Sequence, residues 1–91
     1  MQSTMSLLAL AETRMPEVNL SAWAERLGLS KRALYTAKDR GHLSPAVAGA
    51  LAEELQEDPK EWMVIAALES EKDSACKTRM VKRWLTSATK S

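Results

Sequence analysis

Breaker residues dictate what this chain can fold into. Pro16, Gly28, Gly41, Pro45 and Pro59 stand between stretches whose apolar residues recur at helical spacing. A proline drives the residue before it out of the helical region, and a glycine accepts the left-handed backbone that ends a helix. No stretch alternates apolar and polar residues with period two, and Val, Ile and Thr are sparse beside Ala and Leu. Strands therefore have little support, and the pattern predicts an all-α domain of five or six short helices.

The first helix is expected to begin near Thr4 or Ser6 and to stop before Pro16. Leu20, Trp23, Ala24 and Leu27 fall at i, i+3, i+4 and i+7, one apolar stripe on a two-turn helix that Gly28 ends. Ser30 reads as the cap of a helix from Lys31 to about Arg40, closed by Gly41. Ser44-Pro45 opens a fourth helix carrying Val47, Ala48, Leu51, Ala52 and Leu55. Asp58-Pro59 opens a fifth, running to roughly Lys72, with Glu61 placed for a capping box. That helix is apolar nearly all round from Trp62 to Leu68, which predicts a central position. A last helix, about 74–85, sets Cys76, Met80 and Trp84 on one row and Lys77, Val81 and Leu85 on the next. The polar tail, 86–91, is expected to fray. No repeat, low-complexity segment or long linker divides 1–91, so a single domain is expected.

A chain of 91 residues buries only about 60–65% of its unfolded surface, which leaves room for one small core. Trp23, Leu27, Leu34, Leu51 and Ile65 are assigned to it. Hydrophobic residues at 45% exclude a disordered chain. The longest apolar run, Trp62 to Leu68, is far too short to span a membrane. No basic segment or cleavage site marks the N-terminus, so a cytoplasmic protein is expected. Cys76 is the only cysteine and His42 the only histidine. Neither has a partner at metal-binding or catalytic spacing, and no glycine-rich phosphate loop is present. No enzyme, cofactor or metal is expected, and Cys76 is read as a buried helix thiol.

Thirteen Lys and Arg against twelve Asp and Glu give a net charge of +1, yet the charges are segregated. Leu20 to Leu43 holds Arg26, Lys31, Arg32, Lys38 and Arg40 against two acids. Glu53, Glu54, Glu57, Asp58 and Glu61 cluster around one Lys, and Lys77 onward has no acid. The basic middle coincides with two short helices joined at Gly28. Small Ala24 marks their crossing point, and Leu29 plugs the corner. At about 100° per residue, Ala33, Leu34 and Ala37 point inward. Lys31, Arg32, Tyr35, Thr36 and Lys38 occupy the opposite arc. A helix about 10–12 Å across fits a major groove about 12 Å wide.

The stretch Leu20-Ser-Ala-Trp-Ala-Glu-Arg-Leu-Gly-Leu-Ser-Lys-Arg-Ala-Leu-Tyr-Thr-Ala-Lys-Asp-Arg-Gly41 resembles the helix-turn-helix of phage repressor and Cro-type proteins. The likeness rests on Ala24, Gly28, their apolar neighbours and Ser30. It extends over about Met5 to Leu68, and the whole chain looks like the small single-domain regulators of filamentous phages and prophages. It implies a five-helix DNA-binding domain with one further C-terminal helix, at work in the cytoplasm of a bacterial host. Two departures stand out. Many relatives carry Gln where Lys31 or Arg32 stands, and many have a Trp where this chain has Ala37 and Lys38.

The expected function is sequence-specific binding of double-stranded DNA by a transcriptional regulator, most simply a repressor on a palindromic operator. Lys31, Arg32, Tyr35 and Thr36 are the candidate base contacts, and Ser21, Ser30, Lys38, Arg40 and His42 the candidate backbone contacts. Asp39 is expected to point away from phosphate. Symmetric operators suit two-fold dimers, and the fifth and last helices offer Trp62, Met80, Val81, Trp84 and Leu85 as a homodimer face. Rival readings are a helical protein-interaction module, such as an adaptor or antirepressor, and a DNA-binding antitoxin. In the first a basic face meets an acidic protein; in the second the last helix contacts the toxin, and that C-terminal helix is the possible site of a protein partner.

Overall fold

The computed structural model describes residues 3–88, which form six α-helices and, among those residues, no strand. Helix α1 is Thr4–Arg14, α2 Leu20–Arg26, α3 Ala33–Arg40, α4 Pro45–Glu54, α5 Pro59–Ser70 and α6 Ala75–Ala88. Short polar side chains start most of them by accepting an otherwise unpaired N–H. Ser3 caps α1, Asn19 caps α2 with an Oδ1 acceptor 2.8 Å from the Ala22 nitrogen, and Ser44 caps α4. Asp58 caps α5 through the Lys60 N–H, and Ser74 receives the Lys77 N–H at 3.0 Å to begin α6. Glu61 forms no reciprocal bond to Asp58, so the expected capping box is only half made.

Two helices end in the same hydrogen-bonded way. After α2, the Gly28 N–H reaches the Glu25 carbonyl and the Leu29 N–H reaches that of Ala24 at 2.8 Å, with Gly28 at φ +75°. After α4, the Gln56 N–H reaches Glu53 and the Glu57 N–H reaches Ala52 at 2.8 Å, with Gln56 at φ 60°. Glycine suits that left-handed position and glutamine does not. Replacing Gln56 by Gly is therefore expected to stabilise the fold by about 1 kcal/mol. A urea midpoint that rises with an unchanged slope checks it.

Leu7, Leu8, Trp23, Leu34, Leu43, Leu51 and Ile65 are fully buried or nearly so and form one continuous core. Helices α4 and α5 pack along each other, α2 crosses α3, and α1 rests on α4 and α5. Ala24 is completely enclosed where α2 crosses α3, which only a small side chain permits. Arg14 ties the end of α1 to the α4–α5 connection: Nη1 donates to the Leu55 carbonyl at 2.7 Å and Nη2 pairs with Glu57 at 3.1 Å.

Several sequence expectations need correction. Helix α3 begins at Ala33, not Lys31, and Ser30 is not its side-chain cap. Lys31 and Arg32 instead form a tight turn in which the Ser30 carbonyl accepts the Ala33 N–H at 3.1 Å. Helix α5 ends at Ser70 and is not buried all round. Trp62, Ile65 and Ala66 face the core, while Met63 and Val64 stay 42% and 36% exposed. Helix α6 lies antiparallel on the outer side of α5 and covers it incompletely. Met80 shares a groove with Ala67 and Leu68, and Trp84 shares another with Lys60, Glu61 and Val64. Cys76 is exposed rather than buried. Helix α6 also continues through Thr86 to Ala88, past the expected end at 85; the rest of the expected frayed tail, 89–91, lies outside the described residues.

Candidate nucleic-acid interface

Helix α3 has two unlike faces. Leu34 and Ala37 are sealed in the core, and Ala33 is half-buried. Lys31, Arg32, Tyr35, Thr36, Lys38 and Arg40 are all exposed, Tyr35 by 43%. The four candidate base contacts therefore share an open surface, although Lys31 and Arg32 reach it from the turn before the helix. No side chain caps the first turn of α3. Asp39 is exposed as well.

Among the backbone candidates, Ser30, Lys38 and Arg40 are exposed, and Ser21 is half-buried in the first turn of α2. His42 is half-buried in the connection between α3 and α4, and its Nδ1 is enclosed with no hydrogen-bond partner among the described residues. The Leu43 beside it is fully buried and anchors that connection.

The cations of this surface are not equivalent. Lys38 Nζ lies 3.4 Å from Glu12, and Lys31 Nζ lies 3.6 Å from Glu25. All four side chains are largely exposed, so each pair is worth less than about 1 kcal/mol and yields readily to a stronger anion. Arg32 and Arg40 have no ion pair among the described residues. Arg26 does not join the array: its guanidinium carbon sits 5.3 Å from the centre of the Trp23 ring.

An open groove of about 310 Å³ runs beside α3, lined by Glu12, Val18, Asn19, Leu20, Tyr35 and Lys38, with Pro16 at its edge. Two of its residues escaped sequence reasoning. Asn19 was legible, because an Asn directly before an apolar stripe is a strong cap signal. Glu12 was not, because nothing local ties α1 to Lys38, 26 residues later.

The proposed dimer face splits. Met80 and Leu85 are 45% and 40% exposed, Val81 and Trp84 are half-buried, and Trp84 packs against the core. Trp62 is withdrawn from the list: at 7% exposure it is part of the chain's own core and has no surface left for a partner. Among the described residues no three His, Cys, Asp or Glu side chains converge on a site that would hold a metal ion. No helix there is long and apolar enough to cross a membrane. No family model matches the chain, and neither a curated protein nor a solved structure is similar to it.

Proposed function

We propose that this chain is a sequence-specific DNA-binding transcriptional regulator, a repressor of the phage or prophage type that occupies a palindromic operator as a dimer. The supporting observation is the division of α3 into a sealed face, Leu34 and Ala37, and an open face of Tyr35, Thr36 and Arg40, which Arg32 extends from the turn before the helix. In this reading α1 to α5 form a repressor-type domain, with α2 and α3 as its helix-turn-helix, and α6 is an addition. It acts in the cytoplasm of a bacterial host.

Lys31, Arg32, Tyr35 and Thr36 meet base edges. Arg32 suits a guanine through two parallel bonds, and the Thr36 methyl suits a thymine methyl. Ser21, Ser30, Lys38, Arg40 and His42 grip the flanking phosphates. Met80, Val81, Trp84 and Leu85 contribute to the two-fold contact, joined by the exposed Met63 and Val64 of α5. Selecting bound duplexes from a random pool tests the proposal. Two inverted half-sites about 34 Å apart, or a multiple of that, are expected, and a pool that never enriches defeats it.

Arg32→Ala is expected to cost about 1–3 kcal/mol of binding and to relax preference at one base pair. Equal weakening toward operator and random duplex in a polarisation titration would remove its base-reading role.

One observation favours a second reading. The outer side of α6 carries Arg79, Lys82 and Arg83 without ion pairs among the described residues, next to exposed Met80 and Leu85. Such a face suits an acidic protein, as in an adaptor, an antirepressor or an antitoxin. Absence of duplex binding at low salt selects the interaction module; DNA binding together with co-purification of a neighbouring gene product selects the antitoxin.

A further inference from the structure

We infer that Thr4 and Glu69 are positioning residues for the Arg40–His42 end of the DNA-reading surface, an inference that rests on the function proposed above. Thr4 opens α1 and is fully buried. Its hydroxyl donates to Glu69 Oε1 and accepts the Leu43 backbone N–H at 2.8 Å. Its own backbone N–H donates to Glu69 Oε2 at 3.1 Å. One hydroxyl thereby joins the start of α1, the last turn of α5 and the connection between α3 and α4.

The direction of these bonds follows from what each group can do. A backbone N–H only donates, so Thr4 Oγ1 accepts from Leu43 and its single hydroxyl proton points to Glu69. A hydroxyl lone pair faces Leu43, whose N–H has no other acceptor among the described residues. Glu69 thus makes Thr4 an acceptor for the connection, although it touches no residue of the reading surface.

Beyond the buried Leu43 side chain, that connection has few other polar holds among the described residues. The Gly41 N–H turns back to the Ala37 carbonyl at 2.9 Å, and the Ser44 side chain is occupied by the Val47 N–H at 3.4 Å. His42 lies between them, its Nδ1 without a partner among the described residues. Among the described residues the bond at Leu43 is the one long-range polar contact that seats the segment, and Arg40 lies three residues before it. A hydroxyl lost at position 4 leaves the core in place and lets this end of the surface drift.

The test compares the unaltered full-length chain with Thr4→Val, Thr4→Ser and Glu69→Gln, at a temperature where circular dichroism shows each fully folded. Amide exchange at Leu43 is read without DNA, and affinity for the selected duplex is read by polarisation. Thr4→Val is expected to speed Leu43 exchange and to weaken the duplex, each about ten-fold, while Thr4→Ser restores both. His42→Ala is expected to lose much of its effect on affinity in the Thr4→Val background, a non-additivity that generalised loss of stability does not produce. Should Thr4→Val fail to fold, Glu69→Gln carries the same comparison with a smaller loss. Undiminished affinity in a folded Thr4→Val or Glu69→Gln chain, beside normal binding by the unaltered one, overturns this inference alone. No binding by the unaltered chain overturns the proposed function, and this inference with it.

Discussion

Leu34→Ala is expected to lower folding stability by about 2–5 kcal/mol, the largest stability effect of any single change on α3. Leu34 is fully buried, in the same enclosed cluster as Trp23, Leu43 and Leu51. Truncation removes its apolar contact and leaves a void that close-packed neighbours refill only in part. A domain of this size has roughly 5–14 kcal/mol in total, so the variant sits near the edge of folding. Its melting temperature should fall by roughly 8–40 °C. Arg32→Ala, just ahead of the same helix but on the open side, should leave the melting temperature nearly unchanged while binding suffers. Calorimetry and duplex titration of the two variants therefore separate the faces of one helix. A Leu34→Ala chain that melts like the unaltered one would mean that α3 is not anchored as described.

Salt should act on binding more strongly than any single substitution. Each protomer presents Lys31, Arg32, Lys38 and Arg40 on the proposed surface, and a cation displaces counterions from the duplex whether it meets a base edge or a phosphate, so a dimer releases about eight. The logarithm of affinity should then fall with the logarithm of salt at a slope of about −7, a loss near 10⁴-fold between 50 and 200 mM. Lys31 and Lys38 already hold Glu25 and Glu12. Exchanging those carboxylates for phosphates makes both lysines weaker contributors than the two unpaired arginines, which pulls the slope toward the low end of the range. Polarisation titrations at four salt concentrations measure it. A slope near zero removes the phosphate grip and with it the DNA reading.

What the sequence discloses is set by the range over which each feature acts. Ser44-Pro45, Asp58-Pro59, Gly28 and Gly41 are local signals, and the helix boundaries beside them are close to those expected. The inward set of Trp23, Leu27, Leu34, Leu51 and Ile65 follows from periodicity in the same way; four of the five are buried, and Leu27 is half-buried against the core. Ser30 misleads because two local solutions compete. As a cap it would start the helix at Lys31, but its carbonyl closes a turn onto Ala33 instead. Trp62 misleads because a nearly all-apolar helix gives no stripe from which to tell the core side from the open side. The ion pair of Glu12 with Lys38, the Arg14 bond to Leu55 and the Thr4–Glu69–Leu43 junction are invisible in the sequence, since each joins residues with no shared local pattern.

The Thr4–Glu69 bond spans 65 residues of chain. Closing a loop of that length costs on the order of 4 kcal/mol of chain entropy, which the junction alone does not recover, so it closes only once α1 has settled on α4 and α5. During synthesis, α2 and α3 leave the ribosome ahead of α5, which supplies the carboxylate. A nascent chain thus exposes both helices while the connection behind them is still unfastened, and that connection is seated only once α5 has docked.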